Sequence, residues 1–294
     1  MKVAVIGIGV MGSAIAGRLL DQEGVTVHAF DPAPGKAEAL VGRGATVALS
    51  AQAATEASDF VITSLNSAAV VERAVFGAGG IIAGASKEKL LVDMSSIDAG
   101  RTAELATRLR DETGMGWVDA PLSGGAPAAE KGSLTLMLGG SDEDVARAGP
   151  LLALLSTNAT HLGACGAGQT VKLINQVLCA NAFMAVAEAV RFAEAHGVDA
   201  ARIPAALAGG RADSRILQEF MAKMAARDFT PTGRIDNMLK DLETVQAASL
   251  ARRVPMPVTS LIADLHRMLV AGGFGAADSA EYMRLFDMAA DGRP

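Results

Sequence analysis

Three groups of residues in this chain combine types and spacings that chemistry requires. The first is a lysine with two amides, Lys172, Asn175 and Gln176, in the stretch GAGQTVKLINQ at 166–176. Lys172 and Gln176 stand four apart and share one face of a helix, with Asn175 beside them. A lysine in the first turns of a mostly apolar helix loses hydration, which lowers its pKa toward neutrality and suits it to proton transfer. Read blandly, the same residue is a surface lysine whose stem lies along the helix. The second group is the turn GIGVMG, in which Gly7, Gly9, Val10, Met11 and Gly12 follow the apolar run KVAVI, with Asp31 about twenty residues on. Here Gly7 makes a tight turn, Gly9 lets backbone approach a pyrophosphate, and Gly12 lets a helix pack against the sheet. The N–H groups at the helix start face the phosphates. Asp31 then accepts hydrogen bonds from ribose hydroxyls. A carboxylate there opposes a 2′-phosphate, so NAD is expected over NADP, although Lys36 tempers that preference. The third group is DAPLSGG at 119–125, where Ser123, Gly124 and Gly125 can turn consecutive N–H groups inward around a substrate carboxylate. The bland alternative is a glycine-rich connection.

The elements that must position these groups follow from the apolar pattern. Strands are predicted at 2–7, 25–31, 45–48, 59–65, 90–94, 116–119, 133–138 and 159–162, with helical patterns at 14–20, 34–43, 68–76, 98–113 and 142–154. Strands alternating with helices mean an α/β fold with a doubly wound, mainly parallel sheet, whose ligands sit at the carboxyl ends of strands. Leu65-Asn66 is expected to end the fourth strand, Ser95-Ser96 the fifth and DAPLSGG the sixth. After His161 the strand signals stop. A long helix at 166–196 is followed by helices at about 199–209, 213–226, 236–253, 257–272 and 278–289. The expected organisation is a Rossmann domain at 1–163 and an all-α domain at 164–294, joined by the long helix as a buried inter-domain element.

Composition narrows the function. The 294 residues are half hydrophobic and carry a net charge of −6, so neither nucleic acid nor an anionic membrane is an expected partner. The long helix is interrupted by Asn181, Glu188, Arg191 and Glu194, which argues against a bilayer span. Cys165 and Cys179, if both lie on that helix, stand about 21 Å apart and cannot pair, which fits a reducing cytoplasm. The four histidines are scattered and no HxxxH, HExxH or CxxC spacing occurs, so no metal site is expected. Lys240, in NMLKDLETV, reads by itself as part of a solvated charged face.

Taken together, GIGVMG at 7–12, DAPLSGG at 119–125, GAGQTVKLINQ at 166–176 and MLKDL at 238–242 resemble the β-hydroxyacid dehydrogenase family, in the family's order and over essentially the whole chain. That resemblance implies an NAD-dependent oxidoreductase acting on a short hydroxy acid, with Lys172 as acid/base and the Ser123-Gly124-Gly125 loop on the substrate carboxylate. It also implies that Lys240 lies near cofactor and substrate, that Ser96, Leu65 and Asn66 contact the cofactor, and that the helical domain supports a homodimer or homotetramer. Two departures stand out. The proline usual after Leu65 is missing, and many members have asparagine where Gln176 stands. Glutamine there is similar to the tartronate semialdehyde reductase and threonate dehydrogenase branches, which tilts the substrate toward small polyhydroxy acids. Imine reductases share the layout but usually replace the lysine. A 6-phosphogluconate dehydrogenase needs a longer helical domain. A non-catalytic dinucleotide-binding relative would be expected to lose Lys172.

Overall fold

Along the first strand, Val3 and Val5 face one side and Ala4 and Ile6 the other, and all four are buried, each pair in a different hydrophobic cluster. A strand apolar on both faces belongs in the middle of a sheet covered by helices on both sides. The computed structural model, which describes residues 1–290, has that architecture. Six strands, β1 (Lys2–Ile6), β2 (Thr26–Phe30), β3 (Thr46–Val47), β4 (Phe60–Thr63), β5 (Leu90–Asp93) and β6 (Gly116–Asp119), form a parallel sheet in the order β3-β2-β1-β4-β5-β6. This is the Rossmann order, with its switch point between β1 and β4. On one face α1 (Val10–Leu20) and α6 (Asp142–Leu152) complete the first cluster, and on the other α2 (Ala51–Glu56), α3 (Ala68–Phe76) and α4 (Ala99–Thr113) complete the second.

Three details differ from the pattern expected of the sequence. The segment 34–43 is a single 3-10 helix at Glu38–Arg43, squeezed between Gly35 and Gly44, both at positive φ. β7 (Leu122–Ser123), β8 (Leu134–Leu138) and β9 (Ser156–His161) do not continue the main sheet. They form a separate three-stranded one, with β7 antiparallel to β8 around α5 (Gly125–Lys131). Pro121, which lacks an N–H for a ladder, lies between β6 and β7. Strands β4 and β5 also stop earlier than expected, at Thr63 and Asp93, which places Leu65-Asn66 and Ser95-Ser96 in the loops beyond, while β6 ends at Asp119 as expected. The N–H of Leu65 goes to the Ser95 hydroxyl at 3.0 Å and that of Ser95 to the Asp93 carboxylate at 3.0 Å, so side chains end the ladder there.

Packing divides the chain into two units, Met1–Lys172 and the residues from Leu173 onward. The division falls within α7 (Ala167–Ala195). In the second unit, α7 residues such as Phe183, Met184, Ala187 and Val190 share a core with α9 (Arg215–Ala225), α10 (Ile235–Arg252) and α11 (Pro257–Leu269). α8 (Ile203–Leu207) and α12 (Arg284–Ala290) complete it, and no strand occurs among its described residues. By length and composition alone α7 could cross a membrane, a test that core helices of soluble proteins also pass. It is not buried all round, because Ile174, Leu178 and Phe192 form an exposed apolar stripe.

Candidate active site

The turn after β1 explains its own sequence. Gly7 takes φ 92°, and its N–H donates to the Phe30 carbonyl at 2.9 Å. A Cβ at residue 12 would lie 1.8 Å from the Gly7 carbonyl oxygen, so only glycine lets α1 start this close to the strand. At Gly9 a Cβ would meet nothing within 4 Å, which leaves open space in front of the helix start. α2, α3, α4 and α6 are each capped by a serine or aspartate side chain, but α1 begins at Gly9 with none. Its first N–H groups are therefore available to a diphosphate laid over the glycine. Val10 is exposed and Met11 half-buried at this edge. Leu65 bounds it from β4, with Cδ2 2.6 Å from where a Gly7 Cβ would sit, while Asn66 is exposed. These features fit a dinucleotide.

Asp31 has a role the sequence did not reveal. Its side chain is only 8% exposed. One oxygen accepts the Ile8 N–H at 2.8 Å and the other the Ala33 N–H at 2.8 Å. The carboxylate thus ties the glycine turn to the end of β2, and lone pairs remain for further donors. Lys36 Nζ stands 3.8 Å away, so Asp31 is not the only charge at this corner.

Across β4, β5 and β6, register pairs Thr63 with Asp93 and Asp93 with Asp119. All three are fully buried, a polar row at the carboxyl end of the sheet. Thr63 Oγ1 donates to Asp93 Oδ1 at 2.8 Å. Asp119 reaches forward instead, accepting the N–H of Gly166 at 2.8 Å and of Gln169 at 3.0 Å, and so caps α7 from β6. The Gln169 side chain donates to the Ser95 carbonyl at 2.8 Å and accepts the Ile97 N–H at 3.2 Å, which pins the backbone on either side of Ser96. Burial pushes both aspartates above the ordinary carboxylate range, offset at Asp119 by the Gly166 and Gln169 amides. Burial first, then the Asp119 charge and hydrogen bond, pushes the Cys165 thiol far up, so this residue at the helix mouth is not a reactive thiolate.

The third sequence group receives Lys172. Gly124, at φ 118°, caps α5, and a Cβ there would come within 2.6 Å of the Ala128 Cβ; Gly125 follows at φ 67°. Lys172 Nζ donates to the Leu122 carbonyl at 2.9 Å, so the lysine sits beside the strand that opens into Ser123, Gly124 and Gly125.

In the second unit Gln176 Nε2 donates to Asp241 Oδ2 at 2.6 Å, and Asn175 Nδ2 donates to Gln176 Oε1 at 2.9 Å. Asp241 is buried, and its other oxygen lies 3.2 Å from Lys240 Nζ. The two amides and Lys240 are thus joined through Asp241, which the charge pattern of NMLKDLETV did not single out. Among the described residues, no three His, Cys, Asp or Glu side chains group as a metal site.

Comparison with known proteins shows the family and the fold. Residues 2–163 match the NAD binding domain of 6-phosphogluconate dehydrogenase, and residues 166–286 match the NAD-binding domain of NADP-dependent 3-hydroxyisobutyrate dehydrogenase. The chain is 35% identical over 291 residues, covering 99% of both chains, to 2-hydroxy-3-oxopropionate reductase of Escherichia coli K12. The chain belongs to the β-hydroxyacid dehydrogenase family. This β-hydroxyacid dehydrogenase is also 32% identical to the NAD-dependent L-serine dehydrogenase of Pseudomonas aeruginosa, over 97% of this chain and 98% of that one. The structure of Mycobacterium tuberculosis 3-hydroxyisobutyrate dehydrogenase with L-serine superposes with TM-score 0.87 at 29% identity, covering 97% of this chain and 98% of that one. As a family member the chain is an NAD(P)-dependent oxidoreductase of CH–OH groups.

Proposed function

We propose that this dehydrogenase interconverts a short 3-hydroxy carboxylic acid and its 3-oxo acid, with Lys172 as general acid/base and NAD as the preferred cofactor. The observation that carries this reading is the 2.9 Å contact of Lys172 Nζ with the Leu122 carbonyl, because it sets an amine beside the glycine loop suited to a carboxylate. The uncapped start of α5 and the left-handed Gly124 and Gly125 support Ser123-Gly124-Gly125 as that carboxylate's anchor. Fixing the carboxylate fixes which carbon faces the nicotinamide. In oxidation the neutral Lys172 amine takes the hydroxyl proton, and in reduction the ammonium returns it to the new alkoxide oxygen. Bound nicotinamide supplies the hydride acceptor or donor. The Leu122 carbonyl aims the amine.

Asn175, Gln176 and Lys240 are assigned to the same reaction because GAGQTVKLINQ and MLKDL resemble the family's segments. Gly7, Gly9, Val10, Met11, Gly12, Leu65, Asn66 and Ser96 are assigned to the dinucleotide, and Asp31 to its adenosine ribose. A buried carboxylate already bonded to two backbone N–H groups accepts hydroxyl donors more readily than a 2′-phosphate, which supports NAD.

Gln176 favours small polyhydroxy acids. The 2-hydroxy-3-oxopropionate and L-serine named for two relatives have three-carbon skeletons of the size expected here. A homodimer or homotetramer is part of the proposal, supported by the exposed Ile174, Leu178 and Phe192 on α7. A panel of short hydroxy acids with NAD, followed by NADH absorbance, tests the reading. Turnover of a 3-hydroxy acid is expected, and silence across the panel with NAD still binding contradicts it.

A further inference from the structure

The Asp93–Asp119 pair is not used by the chemistry above. The two aspartates are paired in register on adjacent parallel strands, and neither has exposed surface. Neighbouring buried carboxyls oppose each other's ionisation, because burial strips each charge of hydration and the two charges repel. The facing titratable group is the Cys165 thiol, which burial and the aspartates keep protonated.

Hydrogen bonding identifies which aspartate is charged. Asp119 receives two backbone N–H groups, one on each oxygen, from the positive end of a 29-residue helix. Asp93 concentrates its acceptors on Oδ1, leaving Oδ2 buried without a partner. A charged carboxylate oxygen left bare in that position costs far more than the neutral acid.

We propose that Asp119 carries the pair's single negative charge while Asp93 stays a neutral acid, and that Asp119 is a positioning residue for Lys172. It clamps Gly166 and Gln169, the first turn of α7, and Lys172 follows Gln169 by three residues. Asp119 also ends β6, from which the chain runs directly to Leu122 and the glycine loop. One carboxylate therefore holds the lysine's helix against the strand whose carbonyl receives the lysine. The positioning role rests on the acid/base reading of Lys172; the charge assignment does not.

The test pairs two isosteric variants. Asp93→Asn mimics the neutral acid and is expected to keep wild-type kcat. Asp119→Asn places an NH2 against one of the two helix N–H groups and is expected to lower kcat about a hundredfold, with KM and dinucleotide affinity unchanged. A merely structural role would move all three constants together. Infrared spectra of the wild type at pH 7 are expected to contain a carboxylic-acid C=O band that Asp93→Asn removes, and the Gln169 amide is expected to exchange slowly. Wild-type kcat in Asp119→Asn overturns the proposal, as does parallel loss of kcat and dinucleotide affinity. So does an acid band that is missing or that survives Asp93→Asn. If Asp119→Asn does not fold, the spectra and amide exchange of the wild type and Asp93→Asn still decide the charge and the clamp. If the wild type turns over no hydroxy acid, the acid/base reading fails, while the spectra and exchange still test the pair.

Discussion

Gln176 is bonded to Asp241 across 2.6 Å, and that bond settles which way its amide points. A carboxylate only accepts, so the NH2 of Gln176 must face Asp241, and its carbonyl is then the atom that meets the NH2 of Asn175. The orientation of both amides follows from one buried acid that also pairs with Lys240.

Replacing Asp241 with alanine removes a charge-assisted hydrogen bond, the kind worth about 1.5–3 kcal/mol. The expected result is a lower kcat together with a raised KM, since the two amides lose a shared orientation and Lys240 its ion pair with residue 241. Steady-state kinetics on the best hydroxy acid checks this, and unchanged constants would show that the amides need no such anchor.

Asp31, assigned above to the adenosine ribose, also ties down the glycine turn. Wild-type enzyme is expected to have the higher kcat/KM with NAD, and a clear NADP preference would overturn that assignment. Asp31→Ala is expected to lose dinucleotide affinity and also about 1–3 kcal/mol of stability, because the Ile8 and Ala33 N–H groups lose their acceptor. A thermal melt without dinucleotide separates the two effects.

Burial raises the Asp93 pKa in the folded protein, so the native state holds a proton that the unfolded chain releases near pH 4. Stability from this group is complete below about pH 4 and is then lost as pH rises toward the folded pKa, by about 1.4 kcal/mol for each pH step across that window. Asp93→Asn has no such proton to hold. Its stability relative to wild type is expected to improve between pH 4 and pH 7 in denaturant titrations; a constant difference would mean that Asp93 is not raised.

Much of this was legible in the chain because backbone chemistry leaves local marks. The run KVAVI, the glycines at 7, 9 and 12, and the loss of strand signals after His161 correspond to β1, the helix start and the helical unit. The polar row was not legible. Asp93 and Asp119 each end a short apolar run, and only strand register sets them side by side. Gln169 and Asp241 are likewise defined by partners 74 and 65 residues away, which no local pattern encodes. In the second sheet β8 and β9 left strand signals, but β7 has two residues, too few for an alternation to register.

Lys172 carries the central claim. The most direct measurement is turnover of Lys172→Ala on the hydroxy acid the wild type uses best, with dinucleotide binding followed in parallel. Loss of kcat by at least about a hundredfold with binding retained is the expected result, as general acid/base groups contribute on that order or more. Wild-type-like turnover in Lys172→Ala would contradict it.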